Sequence, residues 1–310
     1  MSRSIFAEPQ FNDEAAAYAF VEARLWAKGR VCPHCGVVDG SGPLRGKSDR
    51  IGLYKCYACR KPFTVKIGTI FEASHIQMRD WLTAIHLICS SKKGVSANQL
   101  HRTLGITLKS AWFMGHRIRE AMRSGQLGPL GGDGTPVEAD ETFFGRKEGE
   151  EVRAGYAHKN AVLTLVERGG EARSFHVEGV KKDDLAPIVR ANIAREAHLM
   201  TDEANQYTQL GKEFAAHGKV DHSREEYAYW DRKSNVVISV NAAEGYFSIF
   251  KRGMIGIYQH CSEKHLHRYL AEYDFRYSNR IKLGIDDVAR ADRALKGVSG
   301  KRLTYRTTGQ

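Results

Sequence analysis

The sequence has no apolar run that approaches 18 residues, and its first residues lack the hydrophobic stretch of a signal peptide. A membrane-spanning helix needs about 20 consecutive apolar residues, so we predict that no segment enters a membrane. The missing leader favours the cytosol. Disulfides are rare in that compartment, and the six cysteines are therefore expected to bind metal or to stay reduced.

Acidic residues are outnumbered: 36 Asp and Glu stand against 47 Lys and Arg, which gives a formal net charge of +11. This surplus favours an anionic polymer as partner, although a merely basic protein would have the same composition. The 310 residues are enough for two or three domains with a well-buried core.

Four of the cysteines form two C-x2-C pairs, Cys32 with Cys35 and Cys56 with Cys59. Twenty residues separate the pairs, and two such pairs can meet at one tetrahedral Zn²⁺. Four sulfurs already close a structural site, so His34 is not expected to be a ligand. Free structural cysteines or a redox pair are the alternatives. The spacing favours a zinc ribbon, with a short helix before it.

Apolar residues recur at helical spacing over residues 78–89, and two further helices are predicted over 97–104 and 108–122. The turn between the last two is short and contains Gly105, which is typical of a helix-turn-helix. An ordinary helical hairpin between domains is the alternative.

In a helix-turn-helix, the helix after the turn presents its first polar residues to the major groove of DNA. Lys109, Ser110 and Arg117 are therefore the candidate DNA contacts of this region. The basic composition and the neighbouring zinc ribbon favour DNA binding over the ordinary hairpin.

Three carboxylates lie within four residues of the apolar, β-prone stretch Val137–Gly145. Strands normally avoid acids, and buried unpaired charges are costly, so this acidic stretch is expected to face either Lys and Arg side chains or a metal ion. Strand alternation puts Glu138 and Asp140 on one face and Glu141 on the other.

The order of elements after residue 136 is β-β-β-α-β-α-β-α, which is the order of a ribonuclease-H-like core. The predicted elements are strands at 137–145, 159–167, 172–178, 198–203 and 219–222, a helix from 183 and a long helix from 241. Asp140, Asp202 and Glu244 fall on the first strand, beside the fourth strand and on the last helix. Phosphodiester cleavage by two divalent ions requires converging carboxylates. The fold can supply them.

Several stretches resemble the DDE-type transposases of bacterial insertion sequences, in the branch that carries an N-terminal zinc ribbon. They cover nearly everything from about residue 12 to 282. The matching stretches are the two C-x2-C pairs, Val137–Gly145, Thr201-Asp202, Val240–Arg252 and His265–Tyr277.

The resemblance implies that Asp140, Asp202 and Glu244 bind Mg²⁺ or Mn²⁺, and that Lys251 steadies a phosphate or a terminal base at the DNA end. An Asn is sometimes cited as the third member of the set, and Asn241 occupies that position. Glu244 is preferred because a carboxylate binds Mg²⁺ better than an amide does. Asn241 would then be an additional ligand or a helix cap.

Other polar residues near these positions are expected to have secondary roles. Arg252 is a candidate DNA contact, and His222 is a candidate for contacting DNA or supporting a ligand. Glu138, Glu141 and Glu203 are expected to be solvated, ion-paired or supporting groups.

The fold class predicted is α/β, a ribonuclease-H-like core with a mixed five-stranded sheet and flanking helices, preceded by a zinc ribbon and a helix-turn-helix region. The predicted segments are 1–72 for the first helix and ribbon, 73–125 for the helix-turn-helix region, 126–136 for a linker, 137–285 for the catalytic domain and 286–310 for a basic flexible tail.

The resemblance implies a transposase that binds the inverted-repeat ends of its element, frees 3′-hydroxyls and joins them to target DNA. Its cofactors would be Mg²⁺ or Mn²⁺ and Zn²⁺. Its partner would be double-stranded DNA at the nucleoid, bound by a homodimer or a higher assembly. A nuclease that does not join ends and a non-catalytic DNA-binding regulator are the alternatives.

Overall fold

A computed structural model describes residues 4–44, 50–123, 125 and 128–304. Predictions that fall on residues 1–3, 45–49, 124, 126–127 and 305–310 lie outside the described residues. The chain forms two compact units. The split unit comprises the described residues up to Arg123 and those from Asp286 onward, and the inserted unit comprises those of 124–285. Among the described helices, none is long and apolar enough to cross a membrane.

The split unit begins with a capped helix and a small sheet. Helix α1 spans Glu14–Leu25, and the carboxylate of Asp13 accepts a hydrogen bond from the Ala16 N–H at 2.7 Å, as the predicted cap requires. An antiparallel sheet in the order β1-β2-β3 follows. Its strands are β1 Ser41–Pro43, β2 Tyr54–Cys56 and β3 Pro62–Phe63.

Three helices follow the ribbon, within one residue of the predicted bounds. They are α2 Met78–Ser90, α3 Ala97–Leu104 and α4 Leu108–Met122. The hydroxyls of Ser96 and Thr107 accept N–H groups from the first turns of α3 and α4. Gly105 ends α3 in the left-handed region, at φ 65°. This conformation costs glycine little, which makes the tight turn between the two helices possible.

The inserted unit is built on a five-stranded mixed sheet, as predicted. Its strands are β4 Pro136–Phe144, β5 Asn160–Glu167, β6 Ala172–Val177, β7 His198–Thr201 and β8 Ala216–Lys219. Their order is β6-β5-β4-β7-β8, with β4 at the centre. The strands β4 to β6 pair antiparallel, whereas β7 runs parallel to both β4 and β8. The fifth strand was predicted at 219–222 and lies three residues earlier, because the chain turns at Asp221 into a short 3₁₀ segment.

Helices cover both faces of this sheet. They are α5 Lys182–Asn192, α6 Tyr207–Leu210, α7 Asn241–Gly253 and α8 Glu263–Ser278. Val137 and Ala139 of β4 pack with α5 and α6, and Phe144 packs with α7 and α8. Since side chains alternate along a strand, Glu138 and Asp140 face the α7 side.

A two-stranded hairpin precedes α7 and was not predicted. Its strands, β9 Ala228–Asp231 and β10 Val236–Ser239, pair antiparallel. Trp230 and Val237 lie opposite each other in this pairing, and both are exposed.

The last helix, α9 Asp287–Lys296, belongs to the split unit. The structure therefore differs from the predicted flexible tail. Ala294 and Leu295 are buried, and the guanidinium of Arg290 donates to the Cys89 carbonyl at 2.9 Å. These contacts complete the core around α2, so residues 287–296 have a structural role.

Candidate active site

The four paired cysteines converge in the split unit, as predicted. All four sulfurs lie within 4.8 Å of one another. Cys32 Sγ is 3.7 Å from Cys59 Sγ, and Cys35 Sγ is 3.6 Å from Cys56 Sγ. A tetrahedral zinc with Zn–S bonds of about 2.3 Å would hold its sulfurs roughly 3.8 Å apart. The donor set and its spacing thus fit Zn²⁺, and His34 is outside the group, with its ring against the Pro62 carbonyl.

The residue after each cysteine pair has a left-handed backbone. Gly36 has φ 77° and Arg60 has φ 64°. The Gly36 N–H donates to the Cys32 carbonyl at 2.9 Å, which closes the first turn. The two turns present both sulfurs of each pair to the same point, which is what a C-x2-C spacing needs to hold one ion.

Sheet register places Asp202 beside Asp140 in the inserted unit. Glu138 pairs with Met200 in the parallel β4–β7 ladder. Two residues further along both strands, the same register brings Asp140 level with Asp202, immediately after β7 ends at Thr201. The carboxylate of Asp202 accepts the Ala204 N–H at 3.0 Å, which fixes the turn that leaves the strand.

Helix α7 brings Glu244 to the same site. Its carboxylate is 3.8 Å from Nε2 of His222, the residue that starts the turn after β8. Asn241 is the first residue of α7 and lies one turn before Glu244, on the same side of the helix. Val240 precedes the helix at the cap position, and its own side chain makes no capping hydrogen bond. The suggestion that Asn241 is the helix cap is therefore wrong.

The electrostatics of Asp140 reflect the nearby acids. Burial, reinforced by the charges of Asp202 and Glu244, raises its pKa from 3.8 to about 7. The Glu141 N–H and the His222 ring act in the opposite direction and lower it. A carboxylate that is hard to ionise beside two other acids is a site where a cation is favoured.

The three acids do not form a closed cluster. Among the described residues, the four cysteines are the group of potential ligands whose donor atoms all lie within 4.8 Å of one another. The three acids are not grouped this closely. Asp140, Asp202 and Glu244 are coupled by charge at longer range. Such a spread suits an open site that shares more than one ion better than a cage around one ion.

Glu141 points to the other side of the sheet, as strand alternation predicted. Its carboxylate accepts a short hydrogen bond from the hydroxyl of Tyr207 in α6. Burial, together with the charges of Asp140 and Asp202 and against the lowering effect of the Tyr207 bond, raises the pKa of Glu141 to about 7. Tyr207 was not singled out from the sequence, where a single aromatic residue among polar neighbours at 205–209 carries no sign of this contact.

Glu138 is only 1% exposed and is bonded on both oxygens. One oxygen accepts from the guanidinium of Arg168 at 2.7 Å. The other accepts the N–H groups of Ala242 and Ala243 at the start of α7. The sequence left Glu138 as an ion-paired or supporting group, and these contacts fit that description.

The residues proposed to contact DNA from α4 differ in their surroundings. Lys109 is exposed in the first turn of the helix, and Ser110 is half-buried and accepts a hydrogen bond from Thr107. Arg117 is 7% exposed, and its guanidinium donates to the Ile70 carbonyl at 2.7 Å. This placement makes Arg117 a support of the split unit and argues against a DNA contact.

The two cations near the end of α7 are placed differently from each other. Lys251 is half-buried, two turns beyond Glu244 along the helix. Arg252 is exposed, and its Nε donates to the Ser248 carbonyl at 3.0 Å.

Comparison with known families agrees with this architecture. Residues 129–278 match the model of the ISXO2-like transposase domain, and residues 12–62 match that of the transposase zinc-ribbon domain. The chain therefore belongs to the DDE-type insertion-sequence transposases that carry an N-terminal zinc ribbon, and the five-stranded core is of the ribonuclease-H type. It is also similar to an uncharacterized protein in the transposable element ISH50 of Halobacterium salinarum. The two are 24% identical over 283 residues, which cover 86% of this chain and 90% of the relative.

Proposed function

We propose that this transposase binds the ends of its own mobile element, cleaves a phosphodiester bond to free a 3′-hydroxyl, and joins that end to target DNA. The observation that carries the proposal is the electrostatic coupling of Asp140, Asp202 and Glu244 at one edge of a transposase core. The three acids come from β4, from the turn after β7 and from α7, and this concentration of carboxylates favours the binding of positive charge.

Asp140, Asp202 and Glu244 would hold Mg²⁺ or Mn²⁺, since carboxylate oxygens are the ligands that these ions prefer. When bound, two such ions help the attacking oxygen and stabilise the leaving oxygen of an in-line displacement. The raised pKa of Asp140 means that ionising its carboxylate is linked to binding positive charge. Asn241 lies one turn before Glu244 and is placed to add an amide oxygen.

Lys251 would hold a phosphate of the DNA end. It is on the helix of Glu244, about 10 Å further along the axis at 1.5 Å per residue, so it would act on a nucleotide beside the scissile one. Arg252 would extend this contact along the backbone. The zinc ribbon and the first turn of α4, with Lys109 and Ser110, would hold the rest of the end.

Cleaving two ends and joining them to one target requires two active sites, so we expect a dimer or a higher assembly on DNA. A nuclease without end joining would use the same acids. A regulator would use the ribbon and α4 alone.

The test is a set of acid-to-amide substitutions, Asp140→Asn, Asp202→Asn and Glu244→Gln, assayed with labelled element ends and Mg²⁺ or Mn²⁺. Each should abolish cleavage, by at least about 10³-fold, because the charge that attracts the ion is lost, while binding to the ends is retained. Glu226→Gln, an exposed acid between Asp202 and Glu244 in the chain, is the matched control.

Three outcomes separate the candidate functions. Cleavage followed by joining to a target supports the transposase. Cleavage that never yields joined products indicates a nuclease, and wild-type protein that binds the ends but never cuts them indicates a regulator.

A further inference from the structure

The side chain of Glu138 connects the strand that carries Asp140 to the helix that carries Glu244. Its Oε2 accepts the backbone N–H of Ala242 at 2.7 Å and that of Ala243 at 3.0 Å. These residues lie in the first turn of α7, where N–H groups have no partner inside the helix. A carboxylate is also favoured there by the helix dipole. Glu138 therefore caps α7 from the neighbouring strand.

The other oxygen of Glu138 is held by Arg168, which follows β5. Nη2 of Arg168 donates to it at 2.7 Å and Nε at 3.2 Å. Arg168 also donates to the Ser239 hydroxyl at 2.8 Å and to the Val237 carbonyl at 2.5 Å, both in the strand that leads into α7. The pair thus joins β4, the end of β5, β10 and the start of α7 around one buried carboxylate.

We propose that Glu138 is a positioning residue for Glu244. By fixing the first turn of α7 against β4, it sets Glu244, which lies one to two residues beyond the capped N–H groups, opposite Asp140. Both of its oxygens are bonded to protein donors, so it acts through Glu244 and does not bind the ion itself. This inference rests on the proposed function, in which Glu244 is a metal ligand. Residues that support metal ligands change affinity or activity about 10- to 100-fold.

The main variant is the double substitution Glu138→Leu with Arg168→Leu. It removes both charges together, and replacing a buried ion pair by apolar residues often preserves stability. It leaves the Ala242 and Ala243 N–H groups uncapped. Glu138→Gln is the conservative variant, since its amide oxygen can still accept from both N–H groups.

The matched control is Glu213→Gln in the same unit. Glu213 forms ion pairs with Arg190 and Arg195 at 2.6 Å each, and neither arginine lies on α7. This variant removes the same charge as Glu138→Gln and disturbs ion pairs in the same unit without touching the helix of Glu244.

Three quantities are measured on the full chain: melting temperature, hydrogen exchange of the Ala242 and Ala243 amides without metal, and the Mn²⁺ concentration for half-maximal cleavage of a labelled end. The double variant should melt near the wild type, exchange these amides at least about tenfold faster, and cleave about 10- to 100-fold more slowly with a higher Mn²⁺ requirement. Glu138→Gln should recover most of both properties, and Glu213→Gln should change neither.

A folded double variant with the wild-type Mn²⁺ requirement overturns the proposal. If Glu138 only stabilised the fold, a variant with restored stability would also recover its activity. If the double variant does not fold, Glu138→Asp decides, because its carboxylate keeps the charge but is one methylene shorter and draws back from the Ala242 and Ala243 N–H groups. Faster exchange of these amides with a raised Mn²⁺ requirement supports the inference, whereas faster exchange without that change, or unchanged exchange, overturns it. Wild-type protein that never cleaves would refute the proposed function instead. In that case unchanged exchange at Ala242 and Ala243 in both variants would still overturn the capping by Glu138, and faster exchange would support it.

Discussion

Glu138 and Asp140 lie two residues apart on the same face of β4, yet they have different surroundings. Glu138 is enclosed by an arginine and two helix N–H groups. Asp140 is half-buried, and burial together with the charges of Asp202 and Glu244 raises its pKa. A buried charge is stable when it is paired and bonded, and only Glu138 meets that condition within the protein. Asp140 is therefore the acid whose charge the proposed metal ion would compensate.

At this scale, Asp140→Asn should stabilise the metal-free protein in a pH-dependent way. The folded-state pKa of about 7 exceeds the ordinary value of 3.8. The native state therefore keeps its proton while the unfolded chain loses it, and the free energy of unfolding falls as pH rises from about 4 to 7. With a chelator present, the variant should melt at least about 2 °C above the wild type at pH 8. The two should melt together at pH 4.

Melting curves at both pH values check this, with Glu226→Gln as the control. A difference between Asp140→Asn and wild type that is the same at both pH values would contradict the assignment to Asp140.

Lys109 and Arg117 both lie on α4, but substitution by alanine should affect different properties: DNA binding at Lys109 and stability at Arg117. Arg117→Ala leaves the Ile70 and Glu72 carbonyls without their donor, which should cost about 2–4 kcal/mol of stability. Lys109→Ala should lower the stability less than Arg117→Ala does, because Lys109 is exposed, and it should weaken end binding. It should also reduce the salt slope of the binding constant by about 1.

Denaturant unfolding and salt-dependent binding titrations measure the two effects. An Arg117→Ala variant with wild-type stability and a reduced salt slope would restore Arg117 as a phosphate contact.

At the scale of elements, the zinc ribbon should depend on its metal. Few apolar side chains are buried around the cysteines, chiefly Phe63 with Trp26 and Tyr54 beside it, so the ion supplies much of the folding free energy. We expect one zinc per chain. Cys56→Ser should lose the zinc, make residues 30–63 sensitive to protease, and abolish binding to element ends.

Elemental analysis and limited proteolysis measure this, with Cys89→Ser, a cysteine outside the ribbon, as the control. A zinc content unchanged by Cys56→Ser would show that the four sulfurs do not form the site.

Local signals decided which elements could be predicted from the sequence. Helices α3 and α4 have Ser96 and Thr107 as caps and Gly105 between them, so their bounds were predicted correctly. Strand β8 reads Ala-His-Gly-Lys and has no β-branched residue, and its predicted position was wrong by three residues. Strand β9 is exposed over most of its length and shows no alternation of buried and exposed positions, so it gave no periodicity to detect. Strand β10 is β-branched and ends in the buried Ile238 and Ser239, but without a recognisable partner strand it was not predicted.

The three acids of the candidate site could be located from the sequence, whereas the contacts of Glu138 beside them could not. Asp140, Asp202 and Glu244 follow from motif order and from the positions of strands and helix. The partners of Glu138 depend on how the ends of distant elements meet: Arg168 is 30 residues away, and Ala242 is 104 residues away. No local pattern encodes such contacts, because they form only when the sheet and α7 pack together.

At the scale of the whole molecule, the proposed chemistry predicts assembly on DNA. Mass measurements with a fluorescent element end should show complexes with two chains or more. An excess of Asp140→Asn chains, which bind ends but do not cleave them, should suppress joining by wild-type protein more strongly than simple dilution does. A joining rate that falls only in proportion to the fraction of wild-type chains would indicate that single chains act alone.

The return of the chain to the split unit through α9 has a consequence for how the protein is made. Residues up to Arg123 are synthesised before the inserted unit, but Arg290, Ala294 and Leu295, which complete the core around α2, are synthesised after it. The inserted unit of 124–285 is continuous and can fold before they appear. The unit proposed to hold the DNA end is therefore completed after the unit proposed to cut it. A chain interrupted during synthesis would contain the proposed catalytic acids, but the unit proposed to bind the ends of the element would be incomplete.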